Sequence, residues 1–269
     1  LGLPAAALTF DTHPDELVFG RPVPLINTPA DREWLMHTYY GIDRVFSLHF
    51  DRETMHQPWR EFVLQRVLGE YHAAHVVCGH DFRFGDRGAG DPEKLAELCH
   101  TESVGCDCIP EIRVDGQTVS STLIRRLLAE GEMARAVRFL GHPHVLSGTV
   151  VSGRKLGRMI GIPTANLQLP PGVLTPRFGV YAAKACFDGQ RLPAVVNIGV
   201  RPTVGGGSVT VEPWILDYEG DLYGKRLRLE FYTFLRPERK FSSLEELRQE
   251  ILHNAAQTRA FFDDSEQSC

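Results

Sequence analysis

The sequence has no long hydrophobic run, and no apolar stretch approaches the ~20 residues that a membrane-spanning helix requires. A secretory signal pattern is also missing. We therefore expect a cytoplasmic protein with no membrane partner. Cysteine is scarce too: six occur in 269 residues, and Cys106 and Cys108 lack a second pair at the spacing of zinc ligands. These features predict reduced thiols.

An excess of basic residues is missing as well. Lys and Arg number 29 against 34 Asp and Glu, which gives a formal net charge of −5. Proteins that bind the phosphate backbone of nucleic acids are usually basic, so we expect no nucleic-acid partner. The composition, 43% hydrophobic and 23% charged, is typical of a globular protein. At ~150 residues per domain, the length predicts two domains.

Strand-like and helix-like segments alternate through the first half of the chain. The predicted strands cover residues 5–10, 45–50, 75–78 and 106–112, and the predicted helices cover residues 29–40, 58–70, 92–100 and 120–129. Strands that alternate with helices indicate a parallel sheet covered on both faces. Ligands bind at the carboxyl ends of the strands in such sheets, so the loops after Phe10 and Cys78 are candidate sites.

The pattern changes near Gly141. Six predicted strands, separated by glycine and proline turns, cover residues 144–151, 165–169, 179–187, 192–198, 209–216 and 226–234. Spaced strands of this kind favour a small closed barrel. One amphipathic helix is predicted to follow, from Ser243 to about Phe262. The domain boundary is expected between Arg138 and Leu146, which gives domains 1–140 and 141–269.

The densest group of candidate residues is in the segment 148–166, GTVVSGRKLGRMIGIPTAN. Its glycines allow backbone N–H groups to converge on phosphate oxygens, and its basic side chains supply positive charge. Thr164 and Asn166 alternate along an extended stretch, so both side chains point to one face, where a hydroxyl and an amide oxygen suit Mg²⁺. A surface turn followed by a strand has the same spacing, so that alternative stays open. The candidate residues of this group are Gly153, Arg154, Lys155, Gly157, Arg158, Thr164 and Asn166.

A second group is the segment VEPWILD, residues 211–217. Strand alternation places Val211, Pro213 and Ile215 on one face and Glu212 and Trp214 on the other. A carboxylate beside a large aromatic side chain is suited to act as a general base in a flavin or purine pocket. A solvent-facing strand glutamate is the alternative.

A third group is in the first half of the chain. Hydroxyls and N–H groups at a helix start, with an arginine one turn further on, favour an anion. An ordinary N-cap uses the same Ser-Ser-Thr residues, so this motif alone does not decide between the two. The candidate residues are Asp11, His13, Asp81, Phe82, Ser121, Thr122 and Arg125.

Together, these motifs resemble those of the bacterial bifunctional riboflavin kinase/FAD synthetase family, from Leu3 to about Phe262. The most specific blocks are GRKLGRMIGIPTANL, NIGVRPT, VEPWILDYEGDLYG and the helix start FSSLEEL. The resemblance implies a kinase domain that is a six-stranded antiparallel β-barrel with a C-terminal helix. It also implies an N-terminal α/β nucleotidyltransferase-like domain with a parallel sheet.

For the kinase domain, the resemblance implies that Thr164 and Asn166 hold Mg-ATP, with the loop from Gly153 to Arg158 around the phosphates. Glu212 matches the family's catalytic carboxylate, which accepts the proton of the riboflavin 5′-hydroxyl as it attacks the γ-phosphate. The product is FMN. Asn197 and Arg201 are expected to support the flavin or the loops over it.

For the N-terminal domain, the resemblance implies transfer of AMP from ATP to FMN, which gives FAD and pyrophosphate. FDTHP, GHDFRFG and SSTLIR stand where the family has like motifs, with Thr12 in place of a usual proline. The family opens with a strand and a Gly-Phe-Asp-Gly-Val-His-x-Gly-His loop that this sequence does not contain. We therefore expect an incomplete N-terminal domain that makes FAD poorly, beside a complete kinase half.

Two other function classes are compatible with the motifs. The first is a barrel that binds flavin or nucleotide without turnover, and the second is a nucleotidyltransferase with a non-flavin acceptor. The intact Glu212, Thr164 and Asn166 argue against a binding barrel without turnover. The motifs of residues 141–269 argue against a non-flavin acceptor. The expected small-molecule partners are riboflavin, FMN and ATP, and the expected oligomeric state is a monomer or weak oligomer.

Overall fold

The computed structural model describes residues 2–153, 157, 161–203 and 206–267. Its backbone contacts divide the chain into two units. The first unit contains Leu1–Val23 and Gly41–Val119, and the second contains Pro24–Tyr40 and Ser120–Cys269. The chain therefore passes between the units three times, after Val23, after Tyr40 and after Val119.

Short strands and helices alternate in the first 119 residues. In chain order they are β1 Ala6–Phe10, α1 Pro14–Phe19, α2 Pro29–Tyr40, β2 Arg44–Leu48, α3 Arg52–His56, α4 Trp59–Glu61, a π-helix Phe62–Glu70, β3 His75–Gly79, a 3₁₀-helix Asp86–Gly88, α5 Pro92–Thr101, β4 Gly105–Ile109, β5 Arg113–Val114 and β6 Gln117–Thr118. The predicted helix over residues 58–70 is thus a short α-helix that continues as a π-helix, for which we have no physical account.

The first unit is built from parallel strand pairs, as the alternation of strands and helices predicts. β1 pairs with β2, and β3 pairs with β4, each over five residues. The two pairs form separate two-stranded sheets among the described residues. The hydrophobic core of the unit lies against β3 and β4, where α5 and the π-helix bury Leu95, Leu98, Cys99, Phe62 and Val63.

The remaining described residues form two helices, six strands and a C-terminal helix. They are α6 Ser121–Glu130, α7 Met133–Leu140, β7 His144–Val151, β8 Asn166–Gln168, β9 Gly179–Phe187, β10 Gln190–Thr203, β11 Gly206–Ile215, β12 Arg226–Pro237 and α8 Leu244–Gln267. The six strands close into a barrel in the order β10-β11-β8-β7-β12-β9, with antiparallel neighbours. The six-stranded barrel with a C-terminal helix, expected from the strand pattern and the resemblance, is therefore confirmed. None of the described helices combines the length and the apolar character needed to cross a bilayer.

Large apolar side chains fill the barrel, and α8 covers part of its outer surface. Leu146, Leu227, Leu229 and Phe231, on the adjacent strands β7 and β12, are fully buried. On the outside, Ala255 of α8 packs in one cluster with Val180, Val195 and Leu216, against which Trp214 also packs. The neighbouring Pro213 is buried on the opposite face of β11 from Trp214. Both faces of the strand are therefore covered here.

Helix α2 belongs to the barrel unit although it lies between β1 and β2 in the chain. Thr28 caps the helix, because its hydroxyl oxygen accepts a hydrogen bond from the N–H of Asp31 at 3.1 Å. The Asp31 carboxylate is fully buried and accepts hydrogen bonds from the hydroxyls of Thr28 and Ser147. Arg226 and Arg228 of β12 lie 3.6 and 3.7 Å from the same carboxylate. A buried charge cluster therefore holds α2 on the barrel.

A second buried carboxylate strengthens the same packing. Glu230 of β12 is 1% exposed and accepts hydrogen bonds from Arg191 at 2.8 Å and from the hydroxyl of Tyr232 at 3.1 Å. Arg191 also reaches the hydroxyl of Tyr39, near the end of α2, at 3.5 Å. Burial opposes the charge of Arg191, but its hydrogen bond and ion pair with Glu230 outweigh this and raise its pKa. Both ends of α2 thus meet charged residues of the barrel.

His144 gives the barrel a pH-dependent stability. The ring is fully buried beside Phe231, and neither ring nitrogen has a hydrogen-bond partner among the described residues. Burial, reinforced by the nearby His142, lowers the pKa of His144 from 6.5 to about 3. The unfolded chain therefore binds a proton at this site before the folded chain does as the pH falls. The free energy of unfolding decreases from about pH 6.5 down to about pH 3, by about 2 kcal/mol between about pH 7 and pH 5.

We expect His144→Leu to remove most of this difference, which urea unfolding at the two pH values measures. The exposed His253 of α8 provides the control, since His253→Leu leaves the difference unchanged. An equal pH dependence in the native chain and in His144→Leu contradicts the prediction.

Candidate active site

The loop after β7 lies against the two residues expected to hold Mg-ATP. A Cβ atom placed on Gly153 overlaps the side-chain amide of Asn166, and one placed on Gly157 overlaps the carbonyl oxygen of Ile162 and comes within 3.2 Å of Thr164 Oγ1. The N–H of Ile162 also donates a hydrogen bond to the carbonyl of Gly157 at 2.8 Å. Glycine is therefore required at position 157, where the contact is with backbone, and any larger residue at position 153 displaces the amide of Asn166. Arg154, Lys155 and Arg158 lie outside the described residues.

The strand register places Glu212 between two asparagines. Val211 of β11 pairs with Leu167 of β8 in antiparallel register, so the next pair along is Glu212 and Asn166. The N–H of Ala165 continues this pairing with a 2.9 Å hydrogen bond to the carbonyl of Pro213. On the other side of β11, Glu212 pairs with Asn197 of β10.

Asn166, Glu212 and Asn197 form a polar row across three adjacent strands. Side chains of cross-strand partners point to the same face, with Cβ atoms about 5 Å apart. All three residues are half-buried, whereas the alternate residues Val211 and Pro213 are buried. The polar row thus lies on the outer face of the barrel, the face on which Trp214 packs beneath α8.

A cavity of about 500 Å³ adjoins the polar row. Its lining combines Thr164 and Ala165, just before β8, and Pro213 and Ile215 of β11 with the loop 218–223. Asn166 and Glu212 are outside this lining, since they lie on the opposite strand face from Pro213 and Ile215. The volume is in the range of small-molecule sites. The cavity and the polar row therefore lie on opposite faces of β11, and Thr164, two residues before Asn166, lines the cavity.

The loop 218–223 lines the cavity, but none of its residues is among the candidates chosen from the sequence. Asp221 accepts a hydrogen bond from the N–H of Tyr223 at 2.9 Å, and the ring of Tyr218 lies where a Cβ on Gly220 would be. Gly224 has a φ of 74°, and its N–H donates to the carbonyl of Val150. Two glycines four residues apart, Gly220 and Gly224, are the sequence feature that could have predicted this loop.

Arginines at the end of β12 fix the C-terminal helix beside the site. Arg236 Nε lies 3.0 Å from Glu250 Oε1 and donates to Asn254 Oδ1, also at 3.0 Å. The guanidinium of Arg239 lies 3.2 Å from Glu250 and 4.7 Å from the ring centre of Phe241. Burial lowers the pKa of Arg236. For Arg201, only the backbone of β10 is described, so the position of its side chain stays a prediction.

The candidate residues of the first unit are in two loops. At the end of β1, Asp11 accepts hydrogen bonds from the hydroxyl of Thr12 at 2.7 Å and from the N–H of Phe50 at 3.3 Å, and its other oxygen lies 2.8 Å from His49 Nδ1. Burial opposes the ionisation of Asp11, but these hydrogen bonds outweigh it and lower the pKa. The hydrogen bond that the His49 ring donates to Asp11 in turn raises the pKa of His49. His13 caps α1 by accepting from the N–H of Asp15.

Asp81 and Phe82 follow β3, in the second loop. Phe82 stacks on Phe84 with ring centres 5.0 Å apart, and its N–H donates to the carbonyl of Gly79. Asp81 Oδ1 also faces Gly79.

The other three residues of this group belong to the second unit. The cap of α6 is Ser120, whose hydroxyl oxygen accepts from the N–H of Leu123 at 3.2 Å. Ser121 and Thr122 occupy the exposed first turn of α6. Arg125 donates to the carbonyl of Pro24. The structure therefore brings these residues together on α6 and places Asp11 and Asp81 in the other unit.

The contact between Gly153 and Asn166 supports a sharp prediction about nucleotide binding. Gly153→Ala pushes the amide of Asn166 away from its place, and we expect the KM for ATP to rise about tenfold, which corresponds to about 1.4 kcal/mol. Steady-state kinetics with varied ATP measures this. Gly189→Ala provides the control: Gly189 is at a turn with a φ of 76° and has open space around it, so the KM for ATP stays unchanged. An unchanged KM for ATP in Gly153→Ala contradicts the prediction.

Two protein families match the chain in succession. The FAD synthetase family matches residues 1–123, and the riboflavin kinase family matches residues 140–262. These matches correspond to the α/β half and to the barrel half of the sequence.

Curated relatives match nearly the whole chain. A bifunctional riboflavin kinase/FMN adenylyltransferase from Pseudomonas fluorescens is 36% identical over 261 residues, which cover 97% of this chain and 83% of that protein. A protein of the same name from Listeria monocytogenes is 34% identical over 269 residues, with the same coverage. Among solved structures, one described as a macrolide-efflux protein from Streptococcus pneumoniae matches with a TM-score of 0.83 and 27% identity, over 96% of this chain and 84% of that chain. The sequence relatives and the two family matches agree, and the chain belongs to the bifunctional riboflavin kinase/FMN adenylyltransferase family.

Proposed function

We propose that this chain transfers the γ-phosphoryl group of ATP to the 5′-hydroxyl of riboflavin, which gives FMN, and that residues 141–269 carry this reaction. The observation that supports it most directly is the polar row, in which a carboxylate lies between two amides beside a loop that requires glycine. Phosphoryl transfer depends mainly on positioning and on stabilising charge, and a row of this kind supplies both.

Glu212 is the proposed general base. Its carboxylate accepts the proton of the 5′-hydroxyl while that oxygen attacks the γ-phosphorus and the bond to the ADP oxygen breaks. Asn166 and Asn197 are its cross-strand neighbours on either side, so they restrict where the carboxylate can point. Trp214, on the same face two residues further along β11, packs against the cluster beneath α8, so we do not propose it as a flavin surface.

Thr164 and Asn166 are the proposed ligands of Mg²⁺. A hydroxyl and an amide oxygen are the hard oxygen donors that this ion prefers, and both side chains lie against the glycine loop on which phosphates would bind. A Mg²⁺ ion held by these two side chains would supply positive charge that offsets the charge of the phosphates. Gly153 and Gly157 place backbone next to these two side chains. The cavity lined by Thr164 and the loop 218–223 is the proposed place of the adenosine part of ATP.

We further propose that the N-terminal half, residues 1–140, contributes transfer of AMP from ATP to FMN. The residues proposed for this reaction are Asp11, His13, Asp81, Phe82, Ser121, Thr122 and Arg125. The lowered pKa of Asp11 keeps its carboxylate ionised at neutral pH. A cytoplasmic location and a monomeric or weakly oligomeric state complete the proposal.

The test is incubation of the purified chain with riboflavin, ATP and Mg²⁺, followed by chromatographic separation of riboflavin, FMN and FAD. We expect FMN to accumulate with one ADP per FMN. Riboflavin or ATP binding without FMN formation overturns the kinase proposal in favour of a binding barrel. FMN supplied with ATP tests the second reaction separately, through the release of pyrophosphate, and pyrophosphate release with a non-flavin acceptor but not with FMN overturns the second proposal.

A further inference from the structure

Four of the six cysteines come together in the first unit. Cys78 of β3 and Cys108 of β4 are direct partners in the parallel register, and their thiols are within hydrogen-bonding reach. Cys99 of α5 and Cys106 of β4 form a second pair in the same way. Cys106 and Cys108 alternate along β4 and so share one face of the strand. Such clustering is notable in a chain with so few cysteines.

The two pairs differ in their access to solvent. Cys108 is exposed and Cys78 is 9% exposed, so a small reagent reaches the first pair through Cys108. Cys99 is fully buried in the hydrophobic core, which closes the second pair. Burial raises the pKa of the Cys78 thiol to about 11, so this thiol is protonated at neutral pH. We therefore expect the exposed Cys108 to react first with a small reagent.

The backbone geometry suits a covalent bond between Cys78 and Cys108. Register partners on neighbouring strands have Cα atoms about 4.8 Å apart, which is within the ~4.4–6.8 Å that disulfides span. A shared metal ion is not the explanation for the cluster, because the described residues include no group of three or more His, Cys, Asp or Glu side chains placed to hold one. The pair is therefore suited to two-electron thiol–disulfide chemistry.

We propose that Cys78 and Cys108 form a reversible disulfide that low-molecular-weight disulfides generate. The Cys108 thiolate attacks one sulfur of the oxidant RSSR, which forms a mixed disulfide and releases the first thiolate. Cys78 then loses its proton to solvent and attacks the Cys108 sulfur, which forms the Cys78–Cys108 bond and releases the second thiolate. Two electrons pass from the protein to the oxidant, and two molecules of RSH form in total.

The bond joins β3 to β4 at the carboxyl ends of both strands. Cys78 is followed directly by Gly79 and the loop with Asp81 and Phe82. Oxidation therefore fixes the base of a loop that we propose for adenylyl transfer. In a reducing compartment such a disulfide forms only transiently, which is typical of redox-responsive rather than structural bonds.

The test uses the full chain, incubated with mixtures of oxidised and reduced glutathione, blocked with an alkylating reagent and digested without reduction. Mass spectrometry is expected to find a peptide pair joined through Cys78 and Cys108, which disappears when excess reduced glutathione is restored. Cys108→Ser abolishes the joined peptides, and Cys78→Ser accumulates glutathione on Cys108. Cys186→Ser is the matched control and leaves the joined peptides unchanged, because Cys186 lies in the other unit on β9.

Three results overturn the proposal. The first is a mixed disulfide on Cys108 that never resolves in the native chain. The second is a cross-link that joins Cys99 to Cys106, or either residue of the pair to Cys269, in place of the expected one. The third is a joined Cys78–Cys108 peptide that excess reduced glutathione does not reverse.

Discussion

Replacing Glu212 by Gln is expected to lower the turnover number for FMN formation at least about 100-fold, with ATP binding largely kept. The glutamine has the same shape but cannot accept the proton of the attacking hydroxyl, and loss of a general base costs about 10²- to 10⁴-fold. The side chain remains between Asn166 and Asn197 in the strand register, so the architecture of the site is unchanged. Single-turnover formation of FMN, measured with the enzyme in excess over riboflavin and with saturating ATP, isolates the chemical step from product release.

The control for this experiment is Glu245→Gln, which removes one negative charge at an exposed position of α8. We expect it to leave turnover within about twofold, because isolated surface charges have small effects. A Glu212→Gln chain that turns over at the native rate shows that Glu212 is not the base. A chain that loses ATP binding and turnover together shows instead that Glu212 contributes to nucleotide binding.

Replacing Asp31 by Ala is expected to destabilise the barrel unit by about 3–5 kcal/mol. The carboxylate is fully buried, and its removal leaves the hydroxyl of Ser147 without its acceptor and the guanidinium groups of Arg226 and Arg228 without the negative charge they face. Burial already lowers the pKa of Arg228, and Asp31 is the neighbour that opposes this shift. Thermal unfolding is expected to show a midpoint lower by about 10 °C.

Two further variants make this prediction specific. Asp31→Asn keeps an oxygen that accepts from Ser147 and is expected to cost less than Asp31→Ala. Asp188→Ala breaks an exposed ion pair with Lys225 and is expected to cost less than about 1 kcal/mol. An Asp31→Ala chain with a native unfolding midpoint contradicts the view that this carboxylate holds α2 on the barrel.

Local sequence patterns predict most helices and strands of this fold, because caps, turns and hydrophobic periodicity determine where such elements begin and end. The predicted helix over residues 29–40 agrees with α2, since Thr28 and Pro29 provide a cap and a preset first turn. The strands β7 and β9 also have the predicted bounds. The hairpin of β5 and β6 was missed although Asp115-Gly116, both with positive φ, is a strong turn signal, because each strand has only two residues.

Local patterns do not predict which strands and helices that are distant in the sequence pair or pack together. Thr164, Asn166 and Glu212 were singled out by residue type, but β8 meets β11 only because the barrel closes in the observed order. The packing of α2 depends on Ser147, which is 116 residues from Asp31. The division of the sequence at residues 140 and 141 places α2 with the first domain, whereas the contacts group it with the barrel.

The position of α2 in the chain affects how the protein is made. A ribosome adds about 5–20 residues per second, so Asp31 leaves the exit tunnel on the order of 10 s before Ser147. During translation the Asp31 carboxylate therefore lacks its partners on β7 and β12 until most of the polypeptide has been synthesised. Stalled or prematurely terminated products that end before β7 expose this segment, and they become natural clients of chaperones and proteases.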